Sequence, residues 1–486
     1  MRHDKVGQQA GIRVAVRLGP GARRSPATPI NRPAPSASLF KGVPWTVTVT
    51  GFFLYLLGIT SLRLPLGGFA IAVALGGLLL QRGGVRFPPY LGWLTAFGIW
   101  TIVAATQTDY PDVVQPNLVA LVKLCLIVLV AANAMQTRAQ VRLFMVFFLG
   151  CFALWPLRGA MSNFFIYHND MQGRMIWNQL YGNPNDLGAI ALLQLSMAVM
   201  LLESEPKGWV RWAAILGVVL LPMLILMTQS RGVFLGLLVF IAIALAGQRR
   251  RLRLVFRLGV VALLLAAIVP AGVWDRVGSL RHATSTASLE QVDGAEGSAL
   301  QRFEIWRVGW KISRDHPLMG VGLGAYPLHH ERYALDPEFN PTAQGPRDTH
   351  SLYLRVLAET GYPGFLLYFG MLLTVGISAE RTRRRCRGVL DTAARQLLVL
   401  EAGLAAFLAA AVFGSLPYLA HFLLHLVLLY SLSVLYRKQL RTATTAGPHT
   451  SSVRPGATAR GPATAAARRA RGMAGVWMPA PNGGRA

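Results

Sequence analysis

The apolar run LVALVKLCLIVLVAANA, residues 118–134, decides the class of fold. A helix of this length spans about 25 Å, close to the roughly 30 Å hydrocarbon layer of a bilayer. Comparable apolar windows recur at 45–62, 64–80, 90–105, 118–134, 141–155, 187–202, 212–227, 233–246, 254–273, 365–377, 397–416 and 420–436. We therefore predict an all-α polytopic membrane protein with about 12 transmembrane helices.

The composition agrees with this fold class and explains the large positive charge. Of 486 residues, 53% are hydrophobic and 14% are charged, with 48 Lys and Arg against 21 Asp and Glu and a net charge of +27. Such an excess is typical either of nucleic-acid binding or of the orientation signals of membrane proteins. The basic residues concentrate in the tails and in alternate gaps between the predicted spans: 82–86, 138–142, 207–211, 249–253 and 381–387. The positive-inside rule then predicts that both termini are cytoplasmic, and no nucleic-acid partner is needed.

Three regions follow from this pattern. Residues 1–42 and 442–486 are rich in Ala, Pro, Gly and Arg and are predicted to be disordered cytoplasmic tails, which could contact anionic membrane lipid. Residues 43–441 form the predicted transmembrane bundle. One outer-side gap, 275–350, is about 75 residues long, and loops of that size are usually functional. The search for chemistry therefore concentrates on this loop.

The loop contains a predicted amphipathic helix. Leu300, Phe303, Trp306 and Trp310 recur at helical spacing, which is typical of a helix that lies on a membrane surface with Trp at the headgroup level. Arg302 lies on another face of this helix. From local sequence alone, Arg302 either binds a substrate phosphate or faces lipid phosphate and solvent.

Two further residues lie at predicted outer ends of spans. His350 comes at the end of the loop, where Asp348 or Thr349 could cap the next helix, so it is predicted to lie at the outer mouth of the bundle. Arg231 belongs to TQSRG, a very short outer turn where the orientation rule disfavours a basic residue. A structural histidine and a snorkelling arginine remain the alternatives.

The segment YGNPNDLG and a lysine inside a span complete the set of candidate residues. Asn183 and Asn185 either contact substrate or cap the helix that Pro184 begins. Lys123 lies about six residues, or roughly 9 Å, inside its span. A cation at that depth indicates a functional site unless its side chain snorkels to the interface.

The histidines and cysteines do not match a known metal motif. The loop histidines, His316, His329, His330 and His350, have no fixed spacing. The pair His421 and His425 near the last span is spaced i, i+4, but Phe422 stands where a zincin motif has glutamate. The three cysteines have no CxxC spacing. We expect no metal and no cofactor.

In combination, five segments resemble the bacterial O-antigen ligase and Wzy-type O-antigen polymerase superfamily. They are GNPNDLG at 182–188, TQSRG at 228–232, QRFEIWRVGW at 301–310, HPLMGVGLG at 316–324 and THSLYLRVLAETGYPG at 349–364. The resemblance implies a GT-C-like, metal-independent glycosyltransferase. Its donor would be a polyprenyl-diphosphate-linked glycan, used on the outer face of the bacterial inner membrane.

The resemblance also implies roles for single residues. Arg231 and Arg302 match functional arginines of the superfamily, and His350 matches the histidine proposed as general base. Asn183, Asn185 and Lys123 are further candidates for substrate binding. The acceptor hydroxyl would belong to a glycan, a lipid core or a protein, and the sequence does not separate ligase from polymerase.

Two other classes of protein compete with this interpretation. A polysaccharide transporter or lipid flippase would be indicated by broken helices, paired midplane charges or repeats, and the sequence shows none of these clearly. A structural membrane scaffold would not need Arg231, Arg302 and His350.

Overall fold

The computed structural model describes residues 40, 42–61, 64–81, 83–177, 181–247, 255–256, 259–260 and 297–445. Its helices are α1 Val47–Ser61, α2 Gly67–Leu79, α3 Pro89–Ala104, α4 Pro111–Ala134, α5 Arg138–Phe152, α6 Arg158–Phe165, α7 Pro184–Ser204, α8 Trp209–Met227, α9 Arg231–Gly247, α10 Gly297–Asp315, α11 Tyr326–Tyr333, α12 Leu352–Cys386, α13 Asp391–Ala410 and α14 Ala420–Thr445. Short 3₁₀ turns cover Ala105–Gln107, Pro341–Ala343 and Ala411–Phe413. Within the described ranges there is no β-strand, so the all-α prediction is confirmed.

Among the described residues, seven helical segments are long and apolar enough to cross a bilayer. They are Pro111–Ala134, Arg138–Phe165, Pro184–Ser204, Trp209–Met227, Leu352–Cys386, Asp391–Phe413 and Ala420–Ala443. Helices α1, α2 and α9 are apolar but shorter. Helices of this length and composition indicate a polytopic membrane protein. The predicted number of 12 spans stays untested, because the predicted span 254–273 lies almost entirely outside the described residues. Most of the predicted tails also lies outside them.

Several helices are longer than the predicted spans. Helix α4 begins at Pro111 rather than at 118, because a proline at the first helical position and Asp112 near the amino end both favour helix initiation there. Helix α5 continues through a π-turn, Ala153–Leu157, into α6. A single turn of π-helix accommodates the ring of Pro156 without ending the segment.

Helix α12 is interrupted at Gly361, which has a left-handed backbone with φ 67°. At this break the Tyr362 N–H donates to the Pro317 carbonyl at 2.8 Å, and the Val321 N–H donates to the Ala358 carbonyl at 2.9 Å. The break therefore attaches the segment after α10 to α12.

We expect Gly361→Ala to detach this segment and to destabilise the protein. A Cβ atom at this position would overlap the Leu318 carbonyl oxygen, and the left-handed backbone adds strain, together about 1 kcal/mol or more. Gly376→Ala is the matched control, because a Cβ there meets open space in the same helix. Thermal unfolding in neutral detergent measures both variants. A Gly361→Ala protein that melts with the wild type would contradict the assigned contact.

The bundle has two distinct ends, which α7 connects. At one end Arg142 forms an ion pair with Glu205, and the Arg211 guanidinium donates to the Glu205 carbonyl at 3.0 Å. At the other end the Thr108 hydroxyl donates to the Val321 carbonyl at 3.0 Å. The basic connections 138–142 and 207–211 thus lie at the first end, and the described part of the long loop covers the second, which we name the loop end.

The described part of the long loop, 297–350, folds as a cap with its own small core. Val308, Ile312, Val321 and Tyr326 are buried together, apart from the main core of the bundle. The face of α10 that is buried in the cap is therefore aliphatic. Phe303 and Trp310, which were predicted to lie on the membrane surface, are 58% and 44% exposed. Spacing alone could not separate the two faces, because both repeat at helical intervals.

Candidate active site at the loop end

His350 lies in a tight turn immediately before α12. Ser351 caps the helix by accepting a hydrogen bond from the Leu354 N–H, so the predicted cap at Asp348 or Thr349 is wrong by two or three residues. Those two residues shape the turn instead: the Asp348 carboxylate accepts from the Thr349 N–H at 2.8 Å, and the Thr349 hydroxyl hydrogen-bonds to Ser415 at 3.0 Å. His350 itself has a positive φ of 46°. A non-glycine residue in this region is strained, and such residues cluster at functional sites.

The surroundings of His350 keep its imidazole neutral. Burial lowers its pKa from the ordinary 6.5, and the positive charges of Arg302 and Arg347 lower it further, whereas Asp348 acts in the opposite direction. A neutral imidazole is the form that accepts a proton. At neutral pH His350 is therefore available as a base.

The cap brings Arg302 to His350. One turn along α10 from Arg302, the Trp306 indole N–H donates to the Thr349 carbonyl at 2.9 Å. This bond attaches α10 directly to the turn that holds His350. The positive charge of Arg302 is one of the causes that lower the His350 pKa.

Arg231 begins α9 at the same end of the bundle. The turn between α8 and α9 consists of Thr228, Gln229 and Ser230, as the TQSRG motif predicted, and Gln229 has a positive φ of 51°. A Cβ atom on Gly232 would lie 2.9 Å from Phe413. The Phe413 ring is in turn 5.9 Å from the ring of Trp306. Contacts through Phe413 and Trp306 therefore connect the Arg231 turn with the turn that holds His350.

Arg174 is a site residue that the sequence analysis did not identify. Its guanidinium donates to the Thr228 carbonyl and to the Asn185 side chain, both at 3.0 Å. It thereby joins the GNPNDLG and TQSRG motifs, which are distant in sequence. A basic residue in an outer gap, where the orientation rule disfavours one, was the available signal.

The two candidate asparagines have internal partners. Asn183 caps α7, and its side chain accepts from the Asn185 N–H at 2.9 Å. Asn185 accepts from Arg174. These bonds are those of an ordered helix amino end, and a contact of either residue with substrate stays a prediction.

Lys123 lies near the middle of α4. It is twelve residues after the beginning of α4 and eleven before its end, deeper than the sequence indicated. A lysine at the centre of a span costs about 3 kcal/mol on the insertion scale. In this protein it lines a cavity of about 810 Å³ together with Arg355 and Ser415. The structure does not place it among the residues around His350.

Several other histidines of the cap and the bundle have contacts elsewhere in the structure. The His330 ring bonds to the Gly345 carbonyl at 3.1 Å, His421 bonds to the Tyr181 hydroxyl at 3.0 Å, and His425 bonds to the Leu400 carbonyl at 3.0 Å. Burial and the neighbouring His316 lower the pKa of His329 to about 4. Among the described residues, no group of three or more His, Cys, Asp or Glu side chains is placed to hold a metal ion.

The middle of the chain matches a known family model. Residues 216–369 match the model described as O-antigen ligase. This segment of the chain is similar to an O-antigen ligase domain. No curated protein matches the chain.

The matched segment includes three of the candidate residues, Arg231, Arg302 and His350. It confirms the resemblance seen in the motifs and supports a ligase- or polymerase-type glycosyltransferase of surface polysaccharides. Asn183, Asn185 and Lys123 precede the matched segment. Their roles therefore depend on geometry alone.

Proposed function

We propose that this membrane protein transfers a glycan from a polyprenyl-diphosphate carrier to an acceptor hydroxyl, as an O-antigen ligase or polymerase does. The observation that carries the proposal is the contact of α10, the helix of Arg302, with the turn of His350 through Trp306, inside the segment that matches the O-antigen ligase model. An imidazole with a suppressed pKa next to a phosphate-binding group suits a reaction that removes a proton and releases a diphosphate.

The proposed reaction is a single displacement at C1 of the donor sugar. The acceptor oxygen forms a bond to C1 while the bond from C1 to the diphosphate oxygen breaks. The acceptor proton passes to His350, and the electron pair of the broken bond stays on the prenyl diphosphate. His350 later returns the proton to solvent or to the leaving group, so the protein ends unchanged.

Arginines supply the charge that the leaving group requires. A guanidinium stays positive at physiological pH and binds phosphate oxygens through two parallel N–H donors. In this proposal Arg231 and Arg302 hold the diphosphate, and Arg174 fixes the position of the Arg231 turn through Thr228. Stabilising charge that develops on a leaving group is commonly the largest catalytic contribution, and two arginines provide it without a metal.

The proposal requires the loop end to face away from the cytoplasm, where the lipid-linked glycan would be used. We expect a reporter that is active only outside the cytoplasm to be active when fused after Gln344 and silent after Arg384 or Arg441. The reason is that the basic connections collect at the opposite end of the bundle. The reverse pattern would put Arg231 and His350 in the wrong compartment and would refute the assigned site.

The direct test is transfer by the purified protein. Full-length protein in neutral detergent is mixed with a synthetic prenyl-diphosphate glycan and a panel of hydroxyl acceptors. We expect a new glycosidic product, one prenyl diphosphate released for each glycan transferred, and no effect of a chelator. Movement of intact lipid-linked glycan across a vesicle membrane without release of the diphosphate would favour the flippase alternative instead.

A further inference from the structure

A chain of polar contacts leads from the interior of the bundle to the turn that holds His350. Arg355, in the first turn of α12, donates from Nη1 to Asp348 and from Nε to Glu359, both at 3.1 Å. The Tyr418 hydroxyl donates to the other carboxyl oxygen of Glu359 at 3.1 Å. We name these four residues, Asp348, Arg355, Glu359 and Tyr418, the Arg355 network.

Glu359 is the fully buried member of this network, with a side chain that is 0% exposed. Both of its carboxyl oxygens accept hydrogen bonds from N–H or O–H donors, which is the pattern of an ionised carboxylate. A charged group at this depth is stable only when it is paired. Arg355 therefore divides one positive charge between two carboxylates, and it neutralises Asp348 only in part.

Glu359 also lies where the cap joins α12. Its backbone carbonyl accepts a hydrogen bond from the Gly322 N–H at 3.0 Å. A Cβ atom on Gly320 would lie 2.4 Å from the Glu359 backbone, so the cap approaches α12 closely at this residue. The Arg355 network thus extends from the contact between cap and α12 to the turn before α12.

The turn requires firm contacts because the backbone of His350 is left-handed. A residue with a φ of 46° keeps this unfavourable conformation only where its surroundings fix it. Neutral contacts hold Thr349: the Trp306 indole donates to its carbonyl, and Ser415 hydrogen-bonds to its hydroxyl. A further contact, from the Arg355 network, is charged. It can therefore affect both the position and the titration of the imidazole.

We propose that Arg355 and Glu359 are positioning residues of the transfer reaction, in which Glu359 holds the Arg355 guanidinium against Asp348 and thereby fixes the turn that presents His350 to the acceptor. This inference rests on the proposed function, in which His350 is the base. An ion pair that only stabilised α12 would need Arg355 and Glu359 at i, i+4 and no contact outside the helix. The second arm of the guanidinium instead reaches Asp348, before the helix begins.

The network also sets how strongly Asp348 acts on the imidazole. The negative charge of Asp348 raises the His350 pKa, against burial and the arginines that lower it. Arg355 weakens this effect of Asp348, and Glu359 in turn weakens the effect of Arg355. Other charged or titratable groups that interact with Asp348 or His350 stay the same in every variant below: Arg302, Arg347, Tyr326, His330 and Asp186.

The test measures the His350 pKa without any substrate. Full-length protein with isotope-labelled histidine is titrated by NMR in neutral detergent, and the His350 signal is the one that His350→Asn removes. Glu359→Gln leaves Arg355 to Asp348 alone, so the His350 pKa should fall. Arg355→Met combined with Glu359→Gln removes the positive charge beside Asp348, so the His350 pKa should rise. Removing both partners together leaves no unpaired charge at the buried position.

Transfer kinetics on the same proteins test the effect on the reaction. The double variant Arg355→Met, Glu359→Gln should lose about tenfold or more in kcat, because a charge-assisted contact of the turn is lost. Its KM for the donor should stay unchanged, because the diphosphate is assigned to Arg231 and Arg302.

The matched control lies on the same helix. Glu380 and Arg384 form an i, i+4 ion pair at the other end of α12. Arg384→Met combined with Glu380→Gln should change neither the His350 titration nor kcat.

The two measurements separate this inference from the proposed function. An unchanged His350 titration in both variants, or an unchanged kcat in the double variant, would overturn the positioning role while wild-type transfer leaves the proposed function standing. The two opposite pKa shifts in a protein that transfers no glycan would support the contacts and refute the proposed function. If the double variant does not fold, Glu359→Gln decides alone, and a His350 pKa that rises or stays constant in it would overturn the inference.

Discussion

Replacing His350 with alanine should lower the rate of glycan transfer by about 10²- to 10⁴-fold, the usual loss when a general base is removed. Binding of the lipid-linked donor should survive, because Arg231 and Arg302 hold the diphosphate in our proposal. Single-turnover transfer and donor binding, measured on the same purified protein, separate the two effects.

Two control variants separate chemistry from folding in this experiment. His350 has a left-handed backbone, which asparagine tolerates well, so His350→Asn should keep the turn and still lose the rate. His316→Ala removes a histidine that contacts Tyr333 elsewhere in the cap and should leave transfer nearly unchanged. Transfer by His350→Asn and His350→Ala at the wild-type rate would end the assignment of His350 as base.

Arg302→Lys should keep the protein folded and lose most of its transfer activity. Lysine retains the charge but lacks the planar pair of donors that fits a phosphate. A lost charge-assisted hydrogen bond of about 1.5–3 kcal/mol corresponds to a fall of roughly 10- to 100-fold in kcat/KM.

The matched control for Arg302→Lys lies on the same helix. Arg307 is exposed and forms an ion pair with Glu304 at 2.9 Å. Exposed pairs contribute little, so Arg307→Lys should behave like the wild type. Equal activity of the Arg302→Lys and Arg307→Lys proteins would restore the alternative in which Arg302 faces lipid phosphate.

Local sequence predicted the separate elements of the site but not the tertiary contacts between them. The short turn before Arg231 and the helix that carries Arg302 follow from apolar periodicity and turn residues. The bond from Trp306 to the Thr349 carbonyl joins positions 43 residues apart, and no local pattern specifies it. Arg174 was missed for the same reason, because its partners lie 11 and 54 residues away.

The sequence also did not predict how deep Lys123 lies in its span or which face of α10 is buried. Lys123 was placed near the outer end of its span because the polar start of α4 hid the true beginning of the helix at Pro111. The sequence also did not identify Val308 and Ile312 as the face of α10 that is buried in the cap. Which of two faces of a helix is buried depends on the elements that pack against it, and local sequence does not specify those elements.

The pH dependence of transfer tests most directly whether His350 is the group that titrates in the reaction. Burial and nearby arginines hold its pKa below 6.5, so the midpoint of the acid decrease in the wild-type rate should lie below pH 6.5. Removing the positive charge in Arg347→Gln should raise the His350 pKa and move the decrease to higher pH. Removing the negative charge in Asp348→Asn should lower that pKa and move the decrease to lower pH. Shifts in these opposite directions are the predicted result, and an acid limb that stays in place in both variants would contradict the account.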